Sequence, residues 1–91
     1  MNEDDARVGP VLAAGAIAGA VVTAIRADNP EVEIVTRGDR VHVRSPGRCV
    51  MMRARVEAAL GHGFRLPLDL EAVMPWFRGW LRMTEETAEW I

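Results

Sequence analysis

Apolar residues recur at every fourth position between Gly15 and Ala27, a spacing typical of a helix that buries one side. The apolar stripe consists of Ile17, Val21 and Ile25. The helix is predicted to end at Asp28-Asn29-Pro30. Proline disfavours helical geometry in the residue before it, and asparagine tolerates the left-handed conformation that often caps a helix.

Alternation of apolar and polar residues predicts strands on both sides of this helix. The segment Val8–Leu12 contains Pro10, which cannot donate to a β-ladder, so an edge strand or an extended lead-in is expected. Val32–Thr36 and Arg40–Arg44 are predicted to form a hairpin around the tight turn Arg37-Gly38-Asp39. A further turn is expected at Ser45-Pro46-Gly47, which gives the first half of the chain the order β-α-β-β.

The second half is predicted to repeat that order. Cys49–Met52 has the pattern of a strand, and the short helix that follows is expected to end at Gly61. The segment Leu68–Met74 could be a helix, but its alternation of apolar and polar residues favours a strand. GWLRMT and AEWI are predicted to close the chain as a hairpin. The sequence therefore predicts an α+β fold in which two fused β-α-β-β units form a compact single domain of sheet and two helices.

The length of 91 residues fits one domain. We expect residues 1–7 to form a flexible acidic tail and residues 8–91 to form the domain. The apolar run Val11–Ile25 has 15 residues, fewer than the roughly 20 that a membrane span requires, so no membrane association is expected. A single cysteine fits a reducing compartment, and a cytoplasmic location is predicted.

The usual signatures of catalysis and cofactor binding are missing from this sequence. Its histidines, His42 and His62, do not stand in a metal-binding spacing, and the lone Cys49 falls on the buried side of a predicted strand. Neither a dinucleotide-binding nor a phosphate-binding glycine motif is present. Paired carboxylates occur only in a tail and a turn, where they have no burial to adjust their pKa. We therefore expect no metal, no cofactor and no enzymatic activity.

Two features are unusual for a purely structural domain. The formal net charge is −2, yet residues Arg37–Arg55 contain six arginines and one acidic residue. A solvated strand face, a docking surface for an acidic protein and a nucleic-acid-binding strip are all compatible with this segment. The second feature is the cluster Met74–Trp80, which includes two tryptophans and a phenylalanine. An aromatic side chain left at the surface beside Arg78 would suit a protein contact.

In its order of short motifs, the sequence resembles the small effector (coupling or regulatory) component of soluble bacterial multicomponent diiron monooxygenases. That family includes the toluene, phenol, alkene and methane systems. The resemblance extends from about Val8 to Trp90 and rests on the motifs VGPVL, ADNP, RVHVRSPG, RVEAALG followed by F, MPWFRG, and a final hairpin ending in EW. It implies a protein without metal, flavin or nucleotide that docks on a diiron hydroxylase and couples oxygen activation to electron delivery and substrate entry. Competition with a ferredoxin or reductase for the hydroxylase is a further implication.

For such a partner the expected contact residues are Asn29, Pro30, Arg44, Arg48, Trp76 and Arg78. The alternative is a small nucleic-acid-binding α+β module that uses the Arg37–Arg55 strip. The negative net charge, the absence of lysine and the lack of aromatic residues between the basic positions argue against it. A regulatory domain that binds a small molecule is a third hypothesis.

Overall fold

The computed structural model describes residues 6–91, which form seven strands and three helices. In chain order, the elements are β1 (Arg7–Ala13), α1 (Ala16–Asp28), β2 (Glu33–Arg37), β3 (Arg40–Pro46), β4 (Cys49–Met52), α2 (Arg53–Leu60), α3 (Leu68–Glu71), β5 (Trp76–Arg78), β6 (Leu81–Met83) and β7 (Thr87–Trp90). The predicted α+β class is confirmed. Most of the predicted tail lies outside the described residues, but Arg7 opens β1 and Gly47 N donates to the carbonyl of Ala6 at 2.8 Å.

The first sheet has the strand order β2-β3-β1-β5, with every neighbouring pair antiparallel. The prediction that Val8–Leu12 is an edge strand or lead-in is wrong, because β1 lies inside this sheet. Its ladder to β3 has pairs at Val8 and at Val11 but none at Gly9 and Pro10 between them. Because proline has no backbone N–H, this gap in the ladder leaves no donor of Pro10 unpaired. A Cβ on Gly9 would stand 2.3 Å from the carbonyl oxygen of Val43, so only glycine fits this close approach.

The second sheet has the order β4-β7-β6 and is also antiparallel. Its inner face buries Cys49, Met51, Ala88 and Trp90, all at 0% exposure. The hairpin of β6 and β7 confirms the predicted closing hairpin. Its end is extended by Trp80 and Ile91, whose backbones exchange two hydrogen bonds of 2.6 and 2.9 Å.

Helix α1 fills the space between the sheets and packs against α2 and β4. It buries Ala18, Ala20, Val21, Ala24 and Ile25 in the same core cluster as the inner residues of both sheets. Gly19 faces outward, with no atom within 4 Å of the position that a Cβ would take. No helix within residues 6–91 combines the length and apolarity required to cross a membrane.

The C-terminus of α1 is held by a side chain. The predicted end at Asp28–Pro30 is confirmed, but the left-handed cap is wrong, because Asn29 has φ −134° and ψ 84°. Its buried carboxamide donates to the carbonyls of Ile25 and Val50, both at 2.7 Å, and accepts from Val50 N at 2.9 Å. Asn29 therefore links α1 to β4 by bonding both backbone groups of Val50. Gly61 confirms the second predicted helix end, with φ +80° and its N–H bonded to Glu57 O.

The predicted strand at Leu68–Met74 is wrong, because Leu68–Glu71 is the short helix α3. Leu70 and Met74 are buried whereas Leu68 is 61% exposed, so the burial period is four residues rather than two. Asp69 supports the turn by accepting hydrogen bonds from the backbone and side chain of Arg65. The strand that pairs with β1 begins later, at Trp76.

Candidate partner-docking surface

One face of the four-stranded sheet is turned away from the core. Val35 pairs with His42, His42 with Val11, and Val11 with Trp76, so one row of side chains crosses all four strands. Successive residues of a strand point to opposite faces, and Val8, Leu12 and Val43 on the other face belong to the core cluster. We call the outward side the arginine face, after Arg7, Arg37, Arg40, Arg44 and Arg78.

The arginine face is strongly basic although the chain has a formal net charge of −2. Among residues 6–91, its five arginines surround one acidic residue, Glu33, whose two carboxylate oxygens lie 3.2 Å from Arg7 and 3.9 Å from Arg44. Arg37 and Arg40 stand opposite each other at the hairpin end and are exposed. Val35, Arg37, His42, Arg44 and Arg78 line a common shallow depression. Positive charge is therefore concentrated on a surface whose backbone is fixed by strand pairing.

An aromatic side chain lies at the β5 edge of this face. Trp76 is 55% exposed, and the Arg78 guanidinium lies 5.8 Å from the centroid of its ring. This distance is within the range of a cation–π interaction, which contributes about 0.5–1 kcal/mol at an exposed site. Val11, in the same row, is buried although it lies outside the core cluster. The edge of the arginine face therefore has an apolar floor with an exposed tryptophan beside it.

The remaining predicted contact residues lie at a second depression. Asn29, Pro30 and Arg48 line it together with Ser45 and Pro46. Arg48 is paired with Glu89, which also binds Arg82 at 3.0 Å. The side-chain hydrogen bond from Arg48, which has the largest effect, and the one from Arg82 both lower the pKa of Glu89. Pro30 is exposed, whereas Asn29 is buried and its carboxamide holds α1 to β4.

The structure thus brings together only half of the six predicted residues. Arg44, Trp76 and Arg78 share the arginine face, and Asn29, Pro30 and Arg48 share the second depression. The Arg37–Arg55 strip is also divided, because Arg53 and Arg55 belong to α2 and form ion pairs there with Glu86 and Asp28. Sequence reasoning missed Arg7, and it included Arg37, Arg40 and His42 only as part of the Arg37–Arg55 segment and not among the six contact residues. The alternation of side chains along each strand predicts which of them share a face. The order in which the strands pair cannot be predicted from the sequence in this way.

Cys49 is buried, and burial raises the pKa of its thiol to about 12, so the thiol stays protonated and unreactive at neutral pH. Within residues 6–91, histidine, cysteine and carboxylate side chains do not cluster in threes that could hold a metal ion.

Sequence comparison places this fold among known proteins. The profile described as the MmoB/DmpM family matches residues 6–91, the whole described part of the chain. The effector subunit of the alkene monooxygenase system of Xanthobacter autotrophicus (strain ATCC BAA-1158 / Py2) is 40% identical over 89 residues. That alignment covers 96% of this chain and 87% of the relative.

Two solved structures share the fold. One chain from a phenol hydroxylase–regulatory protein complex superposes with a TM-score of 0.81 at 15% identity, covering 92% of this chain and 94% of that chain. A chain from a second structure of a phenol hydroxylase–regulatory protein complex gives a TM-score of 0.76 at 20% identity, covering 92% and 99%. At these identities the likeness concerns the fold.

Proposed function

Because the chain belongs to the MmoB/DmpM family, we propose that it is the effector subunit of a multicomponent monooxygenase. The observation that carries this proposal is the 40% identity, over nearly the whole chain, to a protein named as the effector subunit of an alkene monooxygenase system. In this role the chain contributes no reactive group or cofactor of its own, and the chemistry takes place on the hydroxylase component.

The physical basis of the proposed role is linkage between two binding events. An effector that binds one conformation of the hydroxylase more tightly than another shifts their populations by that difference in affinity. Couplings of this kind are typically about 1–3 kcal/mol. We propose that the favoured conformation of a diiron hydroxylase is the one in which oxygen activation, substrate access and electron delivery are coupled.

The structure supports a preformed docking surface. Arg44, Trp76 and Arg78 stand on paired strands, so little conformational freedom of the backbone remains to be lost on binding. Surfaces that are ordered before binding keep more of their interaction energy as affinity. This favours a role in which the effector remains rigid and the hydroxylase changes its shape.

The test is steady-state turnover of the hydroxylase purified from the same organism, with its electron-transfer components, at increasing concentrations of this chain. We expect a saturable change in rate, together with more hydroxylated product per electron consumed. Unchanged rate and unchanged coupling at saturating concentration would refute the proposal. Competition with the ferredoxin or reductase is tested by repeating the titration at several concentrations of that component, where competition shifts the optimum to higher effector concentration.

A further inference from the structure

The four-stranded sheet presents a face that the rest of the described chain does not cover. The helix α1 packs on the opposite side, where Val8, Leu12 and Val43 join its apolar residues in the core. On the outward side, Val35 is only partly buried and Trp76 is exposed, and neither belongs to that core. A tryptophan at an edge of a small protein exposes a large apolar area to water, which association with a partner would remove.

The charge on this face specifies the chemistry of the partner. In the part of the chain that the structure describes, five arginines and one glutamate project from it, while the chain as a whole has a formal net charge of −2. Basic and acidic surfaces attract each other at a distance and fix the orientation of the encounter. An acidic surface on the partner is therefore complementary to this face.

The residue types are those that carry binding energy in protein interfaces. Tryptophan and arginine are enriched among the residues whose truncation costs most affinity. The Arg78 guanidinium lies 5.8 Å from the Trp76 ring centroid, so the two side chains form one arginine–aromatic pair at the edge of this face. The buried Val11 lies next to Trp76 in the same row, because the two residues are paired between β1 and β5.

We infer that the arginine face is the surface by which this chain docks on its hydroxylase, against a carboxylate-rich surface of that protein that receives the Trp76 ring. This inference rests on the proposed function and adds to it the face and the chemistry of its counterpart. The arginines provide steering and register, and Trp76 with Arg78 provides the apolar anchor. The depression around Pro30 and Arg48 lies outside this contact.

A matched pair of charge-reversal variants tests the electrostatic part. Arg37→Glu/Arg40→Glu changes the exposed hairpin end of the arginine face, whereas Arg26→Glu/Arg65→Glu changes two exposed arginines on α1 and before α3. Both double variants alter the net charge equally, and the control also removes the exposed ion pair between Arg65 and Asp69, so its stability is checked by urea denaturation. Binding to the purified hydroxylase is measured by surface plasmon resonance between 50 and 300 mM NaCl, and a far-UV circular dichroism spectrum checks folding.

For the arginine-face variant we expect association to slow by about tenfold or more at 50 mM NaCl and to become less sensitive to salt. The Arg26/Arg65 variant should stay within about twofold of the wild type. Equal losses in both variants would show that net charge alone matters and would overturn the inference. Wild-type affinity in the arginine-face variant would also overturn it.

The anchor is tested by the two exposed tryptophans. Trp76→Ala should weaken binding by about tenfold or more, mainly through faster dissociation. Trp80→Ala, at a position that is 82% exposed and outside this face, should remain within about twofold. The reverse order of effects would overturn the proposed anchor.

Turnover separates this inference from the proposed function. If the inference is correct, enough Arg37→Glu/Arg40→Glu protein restores the wild-type rate, because the weakened complex still forms at high concentration. If wild-type protein changes turnover but the face variants bind normally, the docking face is wrong and the proposed function stands. If wild-type protein neither binds nor changes turnover, the proposed function itself fails. A last outcome concerns nucleic acid. If wild-type protein binds a generic RNA in a salt-sensitive way, the Arg37→Glu/Arg40→Glu variant loses that binding, and the wild type does not bind the hydroxylase, the face would be assigned to nucleic acid. That result would overturn the inference.

Discussion

Asn29 shows how one side chain can take the place of a missing secondary-structure contact. Edge strands present unpaired backbone groups, and β4 lies at the edge of its sheet, where Asn29 bonds both the N–H and the carbonyl of Val50. The same amide nitrogen also donates to Ile25 O. The sequence identifies Asn29 as a helix end, but the contact with Val50, 21 residues away, depends on the tertiary fold.

Replacement of Asn29 should destabilise the protein. We expect Asn29→Ala to lower the free energy of unfolding by about 1–3 kcal/mol, because the polar groups of Val50 lose a buried partner. Urea denaturation followed by circular dichroism measures this change. Thr23→Ala is the matched control, since it removes an exposed hydroxyl that bonds Gly19 O and should cost less than about 0.5 kcal/mol. Similar effects of the two variants would contradict the role given to Asn29.

Two glycines should respond to the same substitution with opposite signs. Gly19 lies in α1 with open space around it, so Gly19→Ala should stabilise the protein by about 0.4–1 kcal/mol through a smaller loss of chain entropy. In Gly9→Ala, a Cβ would stand 2.3 Å from Val43 O, and we expect a loss of about 1–3 kcal/mol. Thermal and urea unfolding of both variants give the comparison. A stabilised Gly9→Ala protein would show that β1 and β3 can separate without cost.

At the scale of elements, local patterns predicted α1, α2 and the two hairpins, because burial in each follows a regular period over several residues. They failed at α3, where a segment of four residues offers only one helical turn. Alternation and helical periodicity both fit Leu68–Met74, and the burial of Leu70 and Met74 against the core decides between them. They also failed at Pro10, which predicted an edge strand. β1 instead lies inside the sheet, because its ladder to β3 is interrupted at Gly9 and Pro10.

The same limit applies to the candidate site. In Arg40–Arg44 the valines alternate with the polar residues, and this alternation is enough to put Arg40 and Arg44 on one side of β3. Neighbouring strands in the sheet are far apart in sequence, however, and β5 joins β1 from the far end of the chain. Sequence therefore identifies the side chains of each strand but not the surface that they form together.

The three-stranded sheet is joined on its outer side by Glu89, which contacts Arg48 beside β4 and Arg82 on β6. These two hydrogen bonds lower the pKa of Glu89 in the folded protein. The unfolded chain therefore binds the proton more readily, with an ordinary glutamate pKa of about 4.3. The stabilisation is present above that value and is lost as the pH falls through the folded-state pKa.

We therefore expect Glu89→Gln to flatten the dependence of stability on pH. Between pH 6 and pH 3, the wild type should lose more of its free energy of unfolding than Glu89→Gln does. Urea denaturation at several pH values measures this difference. Glu85→Gln, in the turn between β6 and β7, is the control and should follow the wild-type curve. A Glu89→Gln curve parallel to that of the wild type would exclude the proposed linkage.

At the scale of the whole molecule, the separation of charge gives the chain an orientation. The arginine face is basic on a protein of net charge −2. An acidic partner would therefore attract this face and repel the remaining surface of the chain. Because both sheets and α1 share one core cluster, the molecule can bind as a rigid body. Under the proposed function, rigid binding would assign any change in shape during regulation to the hydroxylase.

That division of roles leads to a reciprocal binding prediction. If this chain acts by shifting conformational populations, the factor by which it changes the substrate affinity of the hydroxylase must equal the factor by which substrate changes its own affinity. Isothermal titration calorimetry in both orders should give the same ratio, typically about 5–150-fold. Contacts made equally in both hydroxylase conformations shift no population. Arg37→Glu/Arg40→Glu, which weakens steering, should therefore raise both dissociation constants while leaving their ratio unchanged. A ratio of one in wild-type protein that still alters turnover would place the effect on reaction rates rather than on populations.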